Sequence, residues 1–306
     1  MKNKGENKGK DKNPKREKPQ TTQFKVKQEA ELMKFLIENM PHKNRNNIKT
    51  MLKKRQVVVN GTAISQFNHV LKPGDSIELS RRPADSALKM PGVVIVHEDD
   101  QVIVVNKNAG LLTIATDKEK RDTVYSMLSS YVKVQDRGNK IFIVHRLDRE
   151  TSGLMLFAKS KEVKELLQET WTETVGERTY LAVIDGQLDP TEGTHSSYLF
   201  ESKAFIVYSS QDPERGQHAV TNYSTLKSND EFSLLKVNLE TGRKNQIRVH
   251  MKDLGHPIVG DKKYGSTSNP IRRLGLHAWV LAFTHPTTGK KFRFETSIPG
   301  SFLKLF

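Results

Sequence analysis

Apolar and polar positions divide this chain into stretches of different period. Residues 1–22 are Lys, Asn, Gly and Pro with almost nothing to bury, and a basic disordered tail is expected there. From Phe24 the pattern changes. Leu32, Met33, Leu36, Ile37 and Met40 recur at helical spacing, and Pro41 closes the run. Asn46 or Asn47 is placed to cap a second helix carrying Ile48, Met51 and Leu52. QVVVNGTAI (56–64) reads as a strand, an Asn-Gly turn and the start of another strand, and LKPGDSIEL (71–79) repeats that logic around Pro-Gly. These elements make a small α/β domain over residues 23–80. Residues 81–91, RRPADSALKMP, are polar, hold two prolines and have no period, as an exposed linker would.

Residues 92–306 form a larger domain. Val93 to Val96 and Val102 to Val105 are strands around an acidic turn, and residues 123–133 have Val124, Met127, Leu128 and Tyr131 spaced for one helical face. Ile141 to Val144 and Leu154 to Phe157 read as two buried strands. A helix from Lys161 to Thr170 and the strand RTYLAVI (178–184) follow. Further short strands are expected at Ser197 to Leu199, Ala204 to Val207, Ala219 to Leu226, Phe232 to Leu239, Gln246 to Val249 and Leu276 to Phe283. Strand and helix do not alternate regularly. That favours an α+β fold with a mixed, largely antiparallel sheet flanked by helices over a doubly wound parallel sheet.

Charge adds a partner to this picture. The chain has 306 residues and a formal net charge of +15. Residues 1–20 hold eight Lys/Arg against three Asp/Glu, and residues 21–80 hold ten against five, so the first quarter carries two thirds of the excess. Such a handle suits a polyanion, above all nucleic acid. Arg45, Lys49 and Lys53 share one face of the second helix, with Lys54 and Arg55 beside them. Cysteine is absent, which removes disulfides, thiolate metal sites and a cysteine nucleophile and fits a reducing compartment. No apolar run approaches the ~18 residues of a membrane span, and the N-terminus lacks the apolar segment of a secretory signal. A monomeric cytoplasmic protein with no membrane association is the expectation.

Familiar catalytic patterns are missing. No Gly-rich phosphate loop follows a strand, no GxGxxG opens a helix, and no His-Glu-x-x-His or Cys/His spacing suggests zinc. His250 and His256 are too isolated to propose as ligands, and Asp99, Asp100 and Asp148 are too scattered for a metal-dependent nuclease. Two stretches remain. Between the apolar flanks of IFIVHRLDRETSGLMLF (141–157), Asp148 lies among His145, Arg146 and Arg149, cationic or potentially cationic neighbours that favour a carboxylate anion. On residues alone this is a polar turn of a hairpin or a rigidly framed reactive group. TGRKNQIRVHMK (241–252) is basic, and its alternation of Gln246, Arg248 and His250 with Ile247, Val249 and Met251 reads as a strand with one polar face. Arg248 there is a candidate two-pronged partner for Asp148.

Here a resemblance becomes specific. HRLDRETSGLMLFAKS looks like the catalytic motif of the RluA-type family of RNA pseudouridine synthases, and TGRKNQIRVHM looks like that family's later motif. VVNKNAGLL, RTYLAVI, GHPIVGDKKYG and LHAWVLAFTHP are similar to further landmarks, in family order, across residues 92–306. The stretch 32–61 resembles the small RNA-binding domain named after ribosomal protein S-four, the usual partner of the larger members. The resemblance implies a pseudouridine synthase fold and an isomerisation of uridine to pseudouridine with no cofactor or metal. It implies that Asp148 is the essential aspartate, Arg248 its arginine, and Tyr180 the tyrosine stacking on the target base. Arg146 would enter the space left by a flipped nucleotide, and Arg243 would join the RNA contacts. Two positions depart from the family pattern: Asn108 stands where a proline is usual and Asn245 where a histidine is usual, and Asn245 cannot titrate near neutral pH. Large-subunit ribosomal RNA is the expected substrate, with transfer RNA as the alternative. A non-catalytic RNA-binding or assembly factor is the competing reading, and a glycoside hydrolase would need a second carboxylate that Asp148 lacks in sequence.

Overall fold

The computed structural model describes residues 22–79 and 90–306, apart from His42, Lys54, Arg55, Gly61, Lys118, Lys120, Arg121 and Arg137. The expected disordered tail, except its last residue, lies outside the described residues. So do Lys54, Arg55 and the linker up to residue 89. The chain divides into two compact units between Lys89 and Met90.

In the first unit the order is β1 (Thr22–Lys25), β2 (Ala30–Glu31), α1 (Leu32–Asn39), α2 (Arg45–Lys53), β3 (Val57–Val59), β4 (Thr62–Ala63), β5 (Val70–Leu71) and β6 (Ser76–Leu79). An antiparallel sheet runs β1-β6-β3-β4. Leu32, Met33, Leu36 and Met40 of the first helical stretch are buried with Ile48, Leu52, Val57, Val59, Leu71 and Ile77, while Ile37 is turned out. α2 starts earlier than expected: Asn44 Oδ1 accepts from the Asn47 amide at 2.8 Å, so Asn44 is the cap rather than Asn46 or Asn47. The second hairpin does not form. β5 pairs with β2, and β6 pairs with β1 and β3, so the Pro73–Gly74 turn joins two different sheets.

The second unit contains β7 (Val93–Glu98), β8 (Val102–Lys107), α3 (Val124–Gln135), β9 (Phe142–Ile143), β10 (Ser152–Ala158), α4 (Lys161–Glu169), α5 (Trp171–Thr174), β11 (Glu177–Asp185), β12 (Glu192–Glu201), β13 (Val207–Ser210), β14 (Gln217–Ser228), β15 (Phe232–Leu239), α6 (Gln246–Asp253), β16 (Leu276–Thr284), β17 (Lys291–Glu295) and α7 (Gly300–Leu303). One 11-stranded sheet runs β13-β12-β14-β15-β11-β16-β10-β8-β7, with β17 added to β16 and β9 to β10. The fold is α+β with a mixed, mostly antiparallel sheet. Every described strand pair is antiparallel except β10 with β16, which meet only at Ser152–His277 and Gly153–Ala278. Gly153 has φ +116°, and a Cβ there would lie 2.1 Å from the Ala278 carbonyl oxygen. Only glycine allows that approach.

Both faces of the middle of the sheet are covered. All seven residues of β10 are buried. Met155 and Phe157 pack with Val124 and Leu128 of α3, while Leu154, Leu156 and Ala158 pack with Val163 and Leu167 of α4. A continuous apolar run therefore reflects a strand enclosed on two sides. α3 begins at a capping box between Thr123 and Ser126, and Ser160 caps α4 through the Val163 amide. Among the described residues no helix is long and apolar enough to cross a membrane.

One expected strand is a helix. Residues 246–253 form α6, not the alternating strand read from the sequence. Ile247 and Met251, four apart, join one cluster with Leu235 and Val237, and Val249 joins another with Leu199 and Ala219. The polar positions are buried too. Gln246 Nε2 donates to the Val220 carbonyl and Thr221 Oγ1, both at 2.9 Å. His250 bonds Thr221 at 2.8 Å and Ser197 at 3.0 Å. β12 and β14 supply polar partners that let this face of the helix be buried without being apolar. Expected strand ends shift as well: β9 keeps only two residues of Ile141 to Val144, and β13 starts at Val207 rather than Ala204.

Candidate active site

Asp148 sits in the loop between β9 and β10, which several buried anchors hold. Leu147 is buried beside it, and Thr113 Oγ1 donates to its carbonyl at 2.9 Å. The Thr151 amide donates to the Asp148 carbonyl at 3.2 Å, closing a turn. Lys107, at the end of β8, is fully buried and donates to the carbonyls of Asn108 (3.0 Å), Leu111 (2.7 Å) and Arg149 (3.0 Å). One ammonium thus ties the 108–111 loop to the turn that carries Asp148. Burial pushes the Lys107 pKa down to about 8, with the charge of Glu150 opposing it.

Arg248 projects from α6 to this carboxylate. Its Nη1 lies 3.3 Å from Asp148 Oδ2, so two residues a hundred positions apart do meet. The two-pronged contact, however, is with another acid. Nε and Nη2 of Arg248 donate to Asp261 Oδ2 and Oδ1 at 2.7 and 2.8 Å. Asp261 is almost wholly buried, with 1 % of its side chain exposed. Burial opposes the guanidinium charge, but the hydrogen bonds and charge of Asp261, with help from Asp148, raise the Arg248 pKa. Asp148 Oδ1 accepts no hydrogen bond among the described residues. Asn245, at φ +54° before α6, accepts from Arg248 Nη1 at 3.4 Å and donates to Tyr264 OH at 2.9 Å. The Tyr264 ring lies under the Arg248 guanidinium, 4.9 Å from ring centre to Cζ. A non-titrating amide can make both bonds and tolerates the left-handed backbone.

Tyr180 comes from the middle of β11, where β11 and β16 shift register between Thr179 and Tyr180. Burial raises the pKa of its phenol, the Arg178 charge opposing and Asp148 adding to the rise. Asp148, Arg248, Tyr180, Arg146, Arg243 and Asn245 line one cavity of about 480 Å³, a size that admits a single small ligand. Arg146 is exposed at its mouth, and Arg243 Nε donates to the His218 carbonyl at 3.0 Å. Glu201 reaches the same cavity but is paired with Lys244. Among the described residues no cluster of three or more His, Cys, Asp or Glu is arranged to hold a metal ion.

In the first unit Arg45, Lys49 and Lys53 are exposed along one side of α2. Sequence reasoning missed three members of the Asp148 site: Asp261, Lys107 and Tyr264. Asp261 had one signal, a carboxylate inside the GHPIVGDKKYG stretch at 255–265. Nothing in the sequence marks a lysine as buried.

Comparisons with known proteins point to one family. The profile of the RNA pseudouridylate synthase family matches residues 101–253. An uncharacterized RNA pseudouridine synthase of Bacillus subtilis is 32 % identical over 263 residues, covering 84 % of this chain and 86 % of that protein. Ribosomal large subunit pseudouridine synthase D of Neisseria meningitidis is 33 % identical over 276 residues, 85 % of this chain and 73 % of that one. Among solved structures, human RNA pseudouridylate synthase domain containing 1 matches with a TM-score of 0.55 and 26 % identity, over 69 % of this chain and 85 % of that one.

Proposed function

The chain belongs to the RNA pseudouridylate synthase family, with the RluA-type members among its relatives, and from that premise we propose a role for each residue of the Asp148 cavity and a ribosomal substrate. The reaction is an isomerisation of uridine in RNA. The bond from ring N1 to sugar C1′ breaks, the base turns, and C5 joins C1′. C5 loses a proton and N1 gains one, so nothing is added or removed overall. No external oxidant, metal or cofactor is required by that balance.

The observation that carries the assignment is Asp148 Oδ2 at 3.3 Å from Arg248 Nη1 inside the cavity that Tyr180 also lines. Asp148 is the reacting carboxylate, as nucleophile or as base toward the sugar. Arg248, locked by Asp261, holds one of its oxygens and leaves Oδ1 for the substrate. Tyr180 packs on the uracil ring. With its phenol pKa raised by burial it acts as a neutral hydroxyl, able to pass a proton on but not to serve as a phenolate base. Arg146 fills the gap left when the target leaves its stack, a step that takes a few kcal/mol. Arg243 binds the backbone nearby.

The first unit serves as an S-four-like RNA-binding module through Arg45, Lys49 and Lys53, and Lys54 and Arg55, which follow in sequence, belong to the same proposal. A relative named for the large ribosomal subunit supports ribosomal RNA as the substrate, and hence a cytoplasmic site of action. The test is to incubate the protein with ribosomal RNA transcripts and map pseudouridine by carbodiimide-dependent reverse-transcription stops. New stops that vanish with Asp148→Asn are expected. No stop on any structured RNA, or undiminished activity in Asp148→Asn, would overturn the proposal.

A further inference from the structure

A second cavity, of about 560 Å³, adjoins the first and shares Arg146, Tyr180, Leu239, Gly242 and Arg243 with it. Among the residues it does not share are His145, Gln168, Trp171 and Arg178, and Glu240 at the rim, an exposed carboxylate that accepts from Asn222 Nδ2 at 2.9 Å. The catalytic roles assigned above use none of the first four.

Each presents unused chemistry. The half-buried Arg178 has no carboxylate within salt-bridge distance among the described residues. Its hydrogen bonds run only to the carbonyls of Leu239 and Glu240, both at a long 3.4 Å. Gly242 keeps the channel for it open, since a Cβ there would lie 2.6 Å from Arg178 Nη1. A partly desolvated guanidinium whose hydrogen bonds are two long ones to carbonyls is suited to an anionic oxygen. The Trp171 ring lies 5.7 Å from the Arg178 Cζ and 5.2 Å from the His145 ring, tilted by 45°. His145 Nε2 accepts the Leu156 amide at 2.9 Å, and burial lowers its pKa to about 4, so a neutral ring carries its proton on Nδ1. That N–H has no acceptor among the described residues. Gln168 Nε2 donates to the Val144 carbonyl at 2.8 Å, which leaves Oε1 without a described partner. The cavity thus offers an aromatic ring, a hydrogen-bond donor, an acceptor and a cation for a phosphate.

We propose that this second cavity holds the nucleotide next to the target on the RNA strand, its base against Trp171 and its phosphate on Arg178. The inference rests on the reading that the first cavity takes the target uridine. Arg146 and Tyr180, shared by the two cavities, then meet two consecutive bases, both drawn out of their stack. Specificity beyond the target uridine resides in part here.

The experiment uses full-length protein and a short RNA that it modifies. Each nucleotide flanking the target is replaced in turn by an abasic residue, and separately by a methylphosphonate linkage. At one flanking position, loss of the base should raise the wild-type KM about ten-fold with kcat little changed, the scale of one base stacked on an aromatic ring. Trp171→Leu should show the raised KM already and respond no further to the abasic residue, whereas Trp171→Phe should respond as wild type does. The methylphosphonate at the same position should weaken binding by wild type but not by Arg178→Gln, an arm that needs no change at Trp171. Thermal melting of each variant separates lost binding from lost folding. Wild-type activity with no flanking position coupled to Trp171 or Arg178 overturns this inference and leaves the proposed function standing. A wild-type protein that modifies no RNA overturns both.

Discussion

Arg248 divides its guanidinium unequally between two carboxylates. Asp261 receives two short bonds and Asp148 one longer bond, so Asp261 sets where the guanidinium points and Asp148 meets a group already fixed. On the roles proposed above, this arrangement separates a reacting carboxylate from a positioning one. Asp148→Asn should lower kcat by at least about a thousand-fold, the scale of losing a reacting group. Asp261→Asn keeps Asp148 and Arg248 but loosens their aim, and a loss on the order of 100-fold is expected. Tritium release from RNA labelled at uridine C5 measures both, and an Asp261→Asn enzyme as fast as wild type would refute the positioning role. Protonation acts at this scale too. Burial holds His145, His250 and His277 at about 4, with neighbouring charge of Arg178, His195 and Arg273 adding to the fall in turn. Unfolded histidine titrates near 6.5. Between pH 6.5 and 4 the unfolded chain therefore binds protons that the folded rings refuse. Stability is fully present above that window and declines as pH falls through it. Urea midpoints between pH 7 and 4.5 should show the decline, and a flat profile would contradict it.

At the scale of elements, the site depends on two close approaches. β10 and β16 meet in parallel for just two residue pairs, at the residues that directly follow the Asp148 loop, and Gly153 permits it. Gly153→Ala adds a methyl where no space exists and forces an L residue toward φ +116°. A loss of about 3 kcal/mol or more in urea unfolding is expected. The other approach is the buried Lys107 ammonium under three carbonyls of two loops. Lys107→Met fills similar volume and leaves those acceptors unpaired, at about 1–3 kcal/mol for each one that water cannot reach. Its distinguishing sign is a fall in kcat with little change in KM, because the turn loses its fixed aim while the RNA surface stays. Two short apolar segments around a polar cluster announced a frame for Asp148. They did not reveal that β9 is two residues long, nor that the rigidity comes from Lys107, Thr113 and the Gly153 crossing.

For the whole molecule, the relevant quantity is where positive charge lies. Arg45, Lys49 and Lys53 are exposed on α2, and the 1–80 stretch carries most of the net charge. Replacing those three by Ala should weaken RNA binding and reduce the slope of log affinity against log salt by about 2, roughly 0.7 per lost phosphate contact. The value of kcat at saturating RNA should not move. Filter binding across a salt series, paired with single-turnover rates, tests this. An unchanged slope would remove α2 from the RNA surface.

The sequence by itself settled what local order can settle. Period and punctuation marked the larger unit as α+β and placed Tyr180 on a strand and Asp148 between two strands. The ordered motifs identified the chemistry, because a run of matched segments constrains identity more than any one of them. Only the tertiary structure decided which groups touch. It made residues 246–253 a helix, since β12 and β14 supply buried polar partners that alternation in one segment cannot reveal. It gave the two-pronged bond of Arg248 to Asp261 rather than Asp148. Pairing between residues far apart in the chain depends on how sheets and helices pack, and a linear pattern carries no distance across that gap.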